Sequence, residues 1–293
     1  MIDGKTQLVG VIGHPVSHSL SPIMHNAVLA NVGLNAVYIP IPCAPDQLGN
    51  CIAGLRAMGF LGANITVPFK ETILQYMDEL SPLSKFIGSV NTIFWKDDII
   101  GGTLCGTTTD PYGAIHNFLD AGHKMEGKRI AILGNGGVAR ALAFVLCTKE
   151  SERPSHVSIL GRDIRKVDKL CHEINSTIPF ITPQAMELSQ FATNASNFDI
   201  IINGTSVGMH PQENLSPLPK DGLLAQHIVY DIVYTPAMTQ LLRDAQEQGA
   251  KIVTGTGMLV HQGAVSFEHW FSQATSNNRA QRVQIMKEAL SSR

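Results

Sequence analysis

The stretch RIAILGNGGVARALAFVL, residues 129–146, constrains the fold more than any other. Residues 129–133 are a short apolar run with the pattern of a buried strand. Gly134, Gly136 and Gly137 follow, and then an Ala/Leu-rich segment that favours helix. Gly134 permits a tight turn, and Gly136 lets a pyrophosphate approach the backbone. Ala139, standing where a third glycine could be, lets the helix pack close to the strand. The free N–H groups and dipole of the helix N-terminus then face an anion. An ordinary strand-to-helix turn shares this spacing, but the flanking strand and helix are the context that dinucleotide binding requires.

The rest of the chain alternates apolar runs with helical stretches, which implies an α/β fold with largely parallel sheets. The 293 residues are enough for two cored domains. A net charge of −2 with no basic stripe argues against nucleic acid or an anionic membrane as the main partner. No apolar run is long enough to span a bilayer, and the first residues lack the features of a signal peptide. Cys43, Cys51, Cys105, Cys147 and Cys171 are scattered without a CxxC pair, as in a reduced cytoplasmic protein.

In chain order, residues 7–13 read as the first strand. In the loop HPVSHSLSP, Ser21 and Pro22 read as an N-cap and first helical residue, with helix through 32. The Ser17 and Ser19 hydroxyls beside that helix start suit a carboxylate, but on this stretch alone plain turn and cap chemistry is the favoured reading. His14, His18 and His25 have no acid or cysteine close by, so loop packing is favoured over a metal. A strand at 36–42, a helix at 47–58 and a strand at 61–67 follow. Asn64 and Thr66 alternate with apolar neighbours and share a face. Lys70 then opens the helical stretch KETILQYMD, a cation placed against the dipole. That unfavourable placement points to function, against the alternative of a solvated lysine. A strand over 89–95 carries Asn91 and Thr92, and Asp97 and Asp98 mark a hairpin turn. Residues 101–110 gather hydroxyls ahead of one carboxylate, Asp110, which precedes Pro111 and a helical stretch and so reads as a helix cap.

Beyond the glycine loop, strands are expected at 156–160, 180–182, 199–203, 228–233 and 251–254. Thr235–Pro236 is expected to cap a helix over 237–248 that Gly249 stops. Gly255 and Gly257 turn into a helix at 258–271, and residues 278–292 read as a final amphipathic helix.

Together these pieces resemble the shikimate dehydrogenase family. The likeness rests on HPVSHSLSPIMHN (14–26), NITVPFK (64–70), SVNT (89–92) and GTTTD (106–110). GNGGVARA (134–141), NGTSVGM (203–209), YDIVYTP (230–236) and GMLVHQGA (257–264) continue it in family order. The resemblance implies an N-terminal α/β substrate domain with a mostly parallel sheet, residues 1–109 completed by helices in 258–293. Residues 110–257 would form a Rossmann-type domain that binds NADP(H). The implied reaction is the reversible reduction of 3-dehydroshikimate to shikimate, with domain closure bringing the two reactants together. Lys70 and Asp110 would form the catalytic pair, with Lys70 meeting the charge that develops on the carbonyl oxygen. Ser17 and Ser19 would hold the substrate carboxylate. Asn64, Thr66, Asn91 and Gln262 would bind ring hydroxyls, and Tyr234 would line the site. The cofactor would rest on Gly134, Asn135, Gly136, Gly137 and Val138, and on Gly161, Arg162, Asp163 and Arg165. Thr205, Ser206, Val233 and Gly255 would complete that site. No metal is implied. The partners would be small molecules, and the protein a monomer or homodimer. A quinate/shikimate dehydrogenase using NAD or NADP is the alternative enzyme. A silent ligand-sensing paralogue is the third reading, opposed by the presence of both Lys70 and Asp110.

The chain departs from the family pattern at Thr108, where asparagine is usual, and at Asn135 and Val138, where smaller residues are common. At Asp163 the family often has threonine or serine. That last position bears on the cofactor. NAD sites place an acid at this strand end, where Gly161 leaves room for a phosphate. Arg162 can stack on adenine and pair with a 2′-phosphate, and Arg165 and Lys166 gather further charge. Asp163 would grip a ribose instead, unless it caps the next helix. The cap is the favoured reading, and with it NADP over NAD.

Overall fold

The first apolar run becomes β1 (Gln7–Gly13), buried from Val9 onward. In the computed structural model, which describes residues 2–273 and 278–291, the chain divides into two units. One comprises Met1–Gly113 and Val260–Arg293, the other Ala114–Leu259.

In the first unit β1 is followed by α1 (Ser21–Asn31), β2 (Ala36–Pro42), α2 (Leu48–Ala57) and β3 (Gly62–Ile65). Next come β4 (Glu79–Leu80), α3 (Pro82–Ile87), β5 (Thr92–Trp95) and β6 (Leu104–Thr107), and α4 (Asp110–Asp120) starts here and runs on into the second unit. The sheet order is β2-β1-β3-β5-β6-β4. It is parallel from β2 to β3; β5 runs antiparallel both to β3 and to its hairpin partner β6, and β4 pairs parallel with β6. Asp97 and Asp98 turn that hairpin at φ 54° and 58°, a left-handed conformation that Asp tolerates. The edge of β2 is blocked from within. The Asn26 amide accepts from the Tyr38 N–H at 2.9 Å and donates to its carbonyl at 2.8 Å, occupying groups that would otherwise recruit another strand.

The second unit contains β7 (Arg129–Leu133), α5 (Gly137–Thr148), β8 (His156–Gly161), α6 (Ile164–Asn175) and β9 (Gln184–Glu187). It continues with α7 (Phe191–Asn194), β10 (Ile200–Asn203), β11 (Ile228–Asp231), α8 (Gln240–Glu247) and β12 (Lys251–Val253). All neighbouring strands pair in parallel, in the order β12-β11-β10-β7-β8-β9. This is the doubly wound dinucleotide-binding order, reversing between β7 and β10. After α9 (Met258–Trp270) begins, the chain returns to the first unit and ends in α10 (Arg279–Ser291). The Trp270 indole donates to the Ile93 carbonyl at 2.9 Å. A Cβ on Gly62 would lie 2.5 Å from that indole nitrogen, so the strand needs glycine there.

Several local expectations are corrected. No strand forms at 180–182, where Phe180 is exposed with the Arg153 guanidinium over its ring. The strand lies at β9, an edge strand with polar ends whose pattern is too weak to read. Ser21 lies inside α1 rather than capping it. Leu20 is the cap, and the Ser19 hydroxyl accepts from the Ser21 N–H at 3.3 Å. The helix expected from 237 begins at Gln240, where Thr239 caps it by accepting from the Leu242 N–H at 3.4 Å. Thr235–Pro236 lies in the preceding loop. The final helix buries Arg282, Val283 and Met286. Residue 292, expected at its end, falls outside the described residues, as do 274–277 and 293 of the C-terminal segment.

Candidate active site

In the first unit the carboxyl ends of β1, β3 and β6 meet the start of β5. Backbone hydrogen bonds join them: Thr66 N–H to Ile12 O at 2.9 Å, Ile65 N–H to Asn91 O at 2.8 Å, and Asn91 N–H to Thr107 O at 3.0 Å. The Val90 N–H donates to the Lys70 carbonyl at 2.8 Å, drawing Lys70 to the same place. Lys70 and Asp110, 40 residues apart, thereby form an ion pair with Nζ 2.7 Å from Oδ2. Their side chains keep 34% and 21% of their surface exposed, so solvent or a ligand can reach the pair.

Lys70 does not open an α-helix. It lies in a turn ahead of a short 3-10 helix, Thr72–Tyr76, and the expected opposition to a helix dipole does not exist. Phe69 and Ile73 are both buried, and one turn places them before the chain rejoins the sheet at β4.

Asn91 orients the pair. Its Oδ1 accepts from the Thr109 backbone N–H at 2.8 Å, which settles which end of the amide is which. Its Nδ2 therefore faces Asp110 Oδ1 at 2.8 Å and Thr109 Oγ1 at 3.0 Å. Asp110 thus accepts on both oxygens, from Asn91 and from Lys70. Gln262 Oε1 comes within 3.5 Å of Asn91 Nδ2 and 3.4 Å of Thr109 Oγ1. Asn64 accepts from the Tyr38 hydroxyl at 2.8 Å and donates to Thr92 Oγ1 at 3.1 Å and Ser266 Oγ at 3.0 Å. The Ser266 hydroxyl also lies 2.8 Å from Thr92 Oγ1 and 3.1 Å from Thr109 Oγ1.

Thr109, Thr92, Ser266 and Tyr38 are thus part of the site, though sequence reasoning assigned them no role. Ser266 stands four residues after Gln262 on one helix face, a spacing that could have flagged it. Thr66 is half-buried, with its methyl where a Cβ on Gly13 would stand. Ser17 is exposed and Ser19 half-buried, beside the start of α1. Thr108 is buried. His25 is buried and stacks on Tyr38 at 4.3 Å between ring centroids. Among the described residues no cluster of three His, Cys, Asp or Glu could hold a metal.

In the second unit the glycine loop has the expected form. Gly134 has φ +99°, and a Cβ there would stand 2.8 Å from the Thr205 methyl. A Cβ on Gly136 or Gly137 would meet nothing within 4 Å, and no side chain caps α5. The first N–H groups of α5 are open to a phosphate, and the residues present fit a dinucleotide. The close approach at Ala139 is to Gly204, just beyond β10, where a Cβ would stand 2.8 Å from that of Ala139. Asn135 is exposed and Val138 half-buried.

A Cβ on Gly161 would collide with Val167 at 2.6 Å. Asp163 is the N-cap of α6, accepting from the Arg165 N–H at 3.2 Å. Arg162 is exposed, and the Arg165 side chain keeps 89% of its surface exposed. Ser206 is exposed, while the Thr205 hydroxyl donates to Asn203 Oδ1 at 2.7 Å. Val233 is buried, and Gly255 lies so near it that a Cβ would be 2.8 Å from the Val233 carbonyl. Tyr234, also in this unit, is 58% exposed.

Comparison with known proteins matches three family profiles. The shikimate dehydrogenase substrate binding domain covers residues 11–93, shikimate / quinate 5-dehydrogenase covers 118–217, and the shikimate 5'-dehydrogenase C-terminal domain covers 255–274. A shikimate dehydrogenase (NADP(+)) of Methanococcus maripaludis is 36% identical, covering 100% of this chain and 99% of the relative. Shikimate 5-dehydrogenase of Listeria monocytogenes, solved with shikimate and NAD, is 35% identical with a TM-score of 0.85, covering 99% and 98% of the two chains. The Thermus thermophilus enzyme, solved with NADP(H) and shikimate, is 30% identical with a TM-score of 0.79, covering 97% and 99%.

Proposed function

Because the chain belongs to the shikimate dehydrogenase family, we propose that it catalyses the reversible NADPH-dependent reduction of 3-dehydroshikimate to shikimate. The observation that carries this reading is the Lys70–Asp110 ion pair, open to solvent and oriented by Asn91. Bound NADPH supplies the hydride. As negative charge develops on the ring carbonyl oxygen, Lys70 Nζ stabilises it and delivers the proton. In the oxidative direction Nζ accepts that proton. Asp110 keeps Nζ in register and accepts from a substrate hydroxyl.

Ser17 and Ser19 hold the substrate carboxylate. Thr66, Asn91 and Gln262 meet ring hydroxyls, joined by Asn64 through the buried network, and Tyr234 lines the site. NADP(H) lies on the open first turn of α5 and on the loops carrying Thr205, Ser206, Val233 and Gly255. Arg162 and Arg165 meet the 2′-phosphate, while Asp163 is engaged as a helix cap. The enzyme acts in the cytoplasm on small molecules, as a monomer or homodimer. Among the described residues no helix is long and apolar enough to cross a membrane.

The test is nicotinamide absorbance on mixing purified protein with shikimate and NADP⁺, with quinate and NAD⁺ run in parallel. Reduction of NADP⁺ by shikimate is expected, with quinate and NAD⁺ poorer. Equal turnover of quinate would instead establish the quinate/shikimate enzyme, and no reduction at all would defeat the assignment.

A further inference from the structure

Asp231, the last residue of β11, has no solvent exposure and no ion-pair partner among the described residues. Its carboxylate accepts three hydrogen bonds. Asn203 Nδ2 and the Val233 N–H each reach Oδ1 at 3.0 Å, and the Thr239 hydroxyl reaches Oδ2 at 2.6 Å. Each donor commits a different piece of chain. Asn203 ends β10 and stands beside Asp231 in the parallel ladder. Its Oδ1 accepts from the Thr205 N–H at 3.0 Å and hydroxyl at 2.7 Å, and its Nδ2 also donates to the Val207 carbonyl at 3.1 Å. Val233 belongs to the loop after β11. Thr239 starts α8, whose Leu242 N–H it also accepts. Gly208, at φ +101°, closes the loop after β10 against Thr239, where a Cβ would come within 3.3 Å.

We propose that Asp231 is a positioning residue for cofactor binding: its carboxylate clamps the loop after β10 to the loop after β11, so that Thr205, Ser206 and Val233 are held in NADP(H)-binding form. The proposal rests on the reading that these loops hold the cofactor. Burial pushes the Asp231 carboxyl up to about 6, against the pull of its three hydrogen bonds. Keeping a buried acid with no cation beside it is unfavourable, and a mere space-filler would serve better as an apolar side chain. A carboxylate, however, offers acceptors in two directions at once, which three converging donors require. An asparagine of the same shape offers one oxygen and turns donors toward the other donors.

The test is Asp231→Asn, read by equilibrium binding of NADPH, by equilibrium binding of shikimate alone, and by thermal melting. Wild-type protein that fails to bind NADPH would defeat the cofactor reading itself, and this proposal with it. Given wild-type binding, Asp231→Asn should raise the Kd for NADPH by about tenfold, the scale of one lost hydrogen bond to a charge. The Kd for shikimate should change by no more than a few-fold, since every residue proposed to hold it except Tyr234 lies in the other unit. Should Asp231→Asn fail to fold, Thr239→Val removes the shortest of the three bonds with little change of shape and should give the same selective loss. A folded variant with unchanged NADPH affinity, or one that loses both ligands equally, would overturn the proposal.

Discussion

A carboxylate stands at the carboxyl end of a strand in one unit, Asp231 of β11, and shortly after one in the other, Asp110 after β6, and the two differ in almost every physical respect. Asp110 keeps a fifth of its side-chain surface exposed and faces Lys70 at 2.7 Å. Asp231 is sealed, and burial lifts its carboxyl to about 6. Both are oriented by an asparagine at the end of a neighbouring backbone segment, Asn91 in one case and Asn203 in the other. The asparagine is the shared device, because one amide can accept a backbone N–H and donate to a carboxylate at once. What differs is the remaining carboxylate oxygen. On Asp110 it meets a cation that a substrate can reach; on Asp231 it meets the hydroxyl that starts a helix. The same pairing of residues thus orients a solvent-open ion pair in one unit and a sealed hydrogen-bond cluster in the other.

The largest effect that would break this comparison is at Lys70. Lys70→Ala should lower kcat by roughly 10²–10⁴-fold while shikimate still binds. Turnover within a few-fold of wild type would place the proton transfer elsewhere. A step smaller, Ser17→Ala with Ser19→Ala should erase the preference for a carboxylate over an amide in the substrate. Each lost charge-assisted hydrogen bond is worth about 1.5–3 kcal/mol, so losing both should shrink the preference by at least about a hundredfold. A double variant that still rejects the amide as strongly would move the carboxylate to other residues.

These residues were not equally legible in the sequence. Asn64 and Lys70 stand out at the end of an apolar strand and Asp110 as the one carboxylate after a run of hydroxyls, whereas Ser17 reads on its own as turn and cap chemistry. Their convergence is not legible, since it depends on the β5–β6 hairpin lying between β3 and β4, with β5 alone running antiparallel. Ser266 and Thr92 looked like ordinary polar residues, and only burial shows them wired to Asn64. Lys70 was marked as functional on a helix that does not form, so the right residue came with the wrong cause. In the second unit the parallel strands read well because both faces are buried and the runs are unbroken. The edge strand β9 did not read, and Asp231 passed as one polar residue inside YDIVY.

On the cofactor side, Arg162→Ala should cut the ratio of kcat/KM for NADP to that for NAD by about tenfold. The cap geometry of Asp163 supports this sign, since its carboxylate already accepts from the Arg165 N–H. A wild-type enzyme that favours NAD would show that Asp163 reads a ribose despite the cap.

The smallest expected effect is on acid stability and belongs to the first unit. Burial pushes His25 from 6.5 down to about 3, so it is neutral when folded and takes up a proton on unfolding. Its contribution to stability is therefore complete above about pH 6.5 and is lost as pH falls toward 3. His25→Phe keeps a ring against Tyr38 and removes that proton uptake. Its melting temperature should fall less steeply than that of wild type across this window. Parallel curves for the two proteins would mean that His25 does not titrate on unfolding.

The comparison rests above all on Lys70 and Asp110 acting as one unit, and a double-mutant cycle measures that directly. Single-turnover rates would be determined for Lys70→Ala, Asp110→Asn and the double variant at saturating shikimate and NADP⁺. Because Asp110 is proposed to serve the proton transfer by holding Lys70 Nζ, and saturating shikimate offsets its contact with a substrate hydroxyl, removing it from a chain that already lacks the lysine should cost little more. The double variant should be within a few-fold of the slower single variant. A double variant slowed by the product of the two separate losses would show that the groups act independently, and would contradict the account.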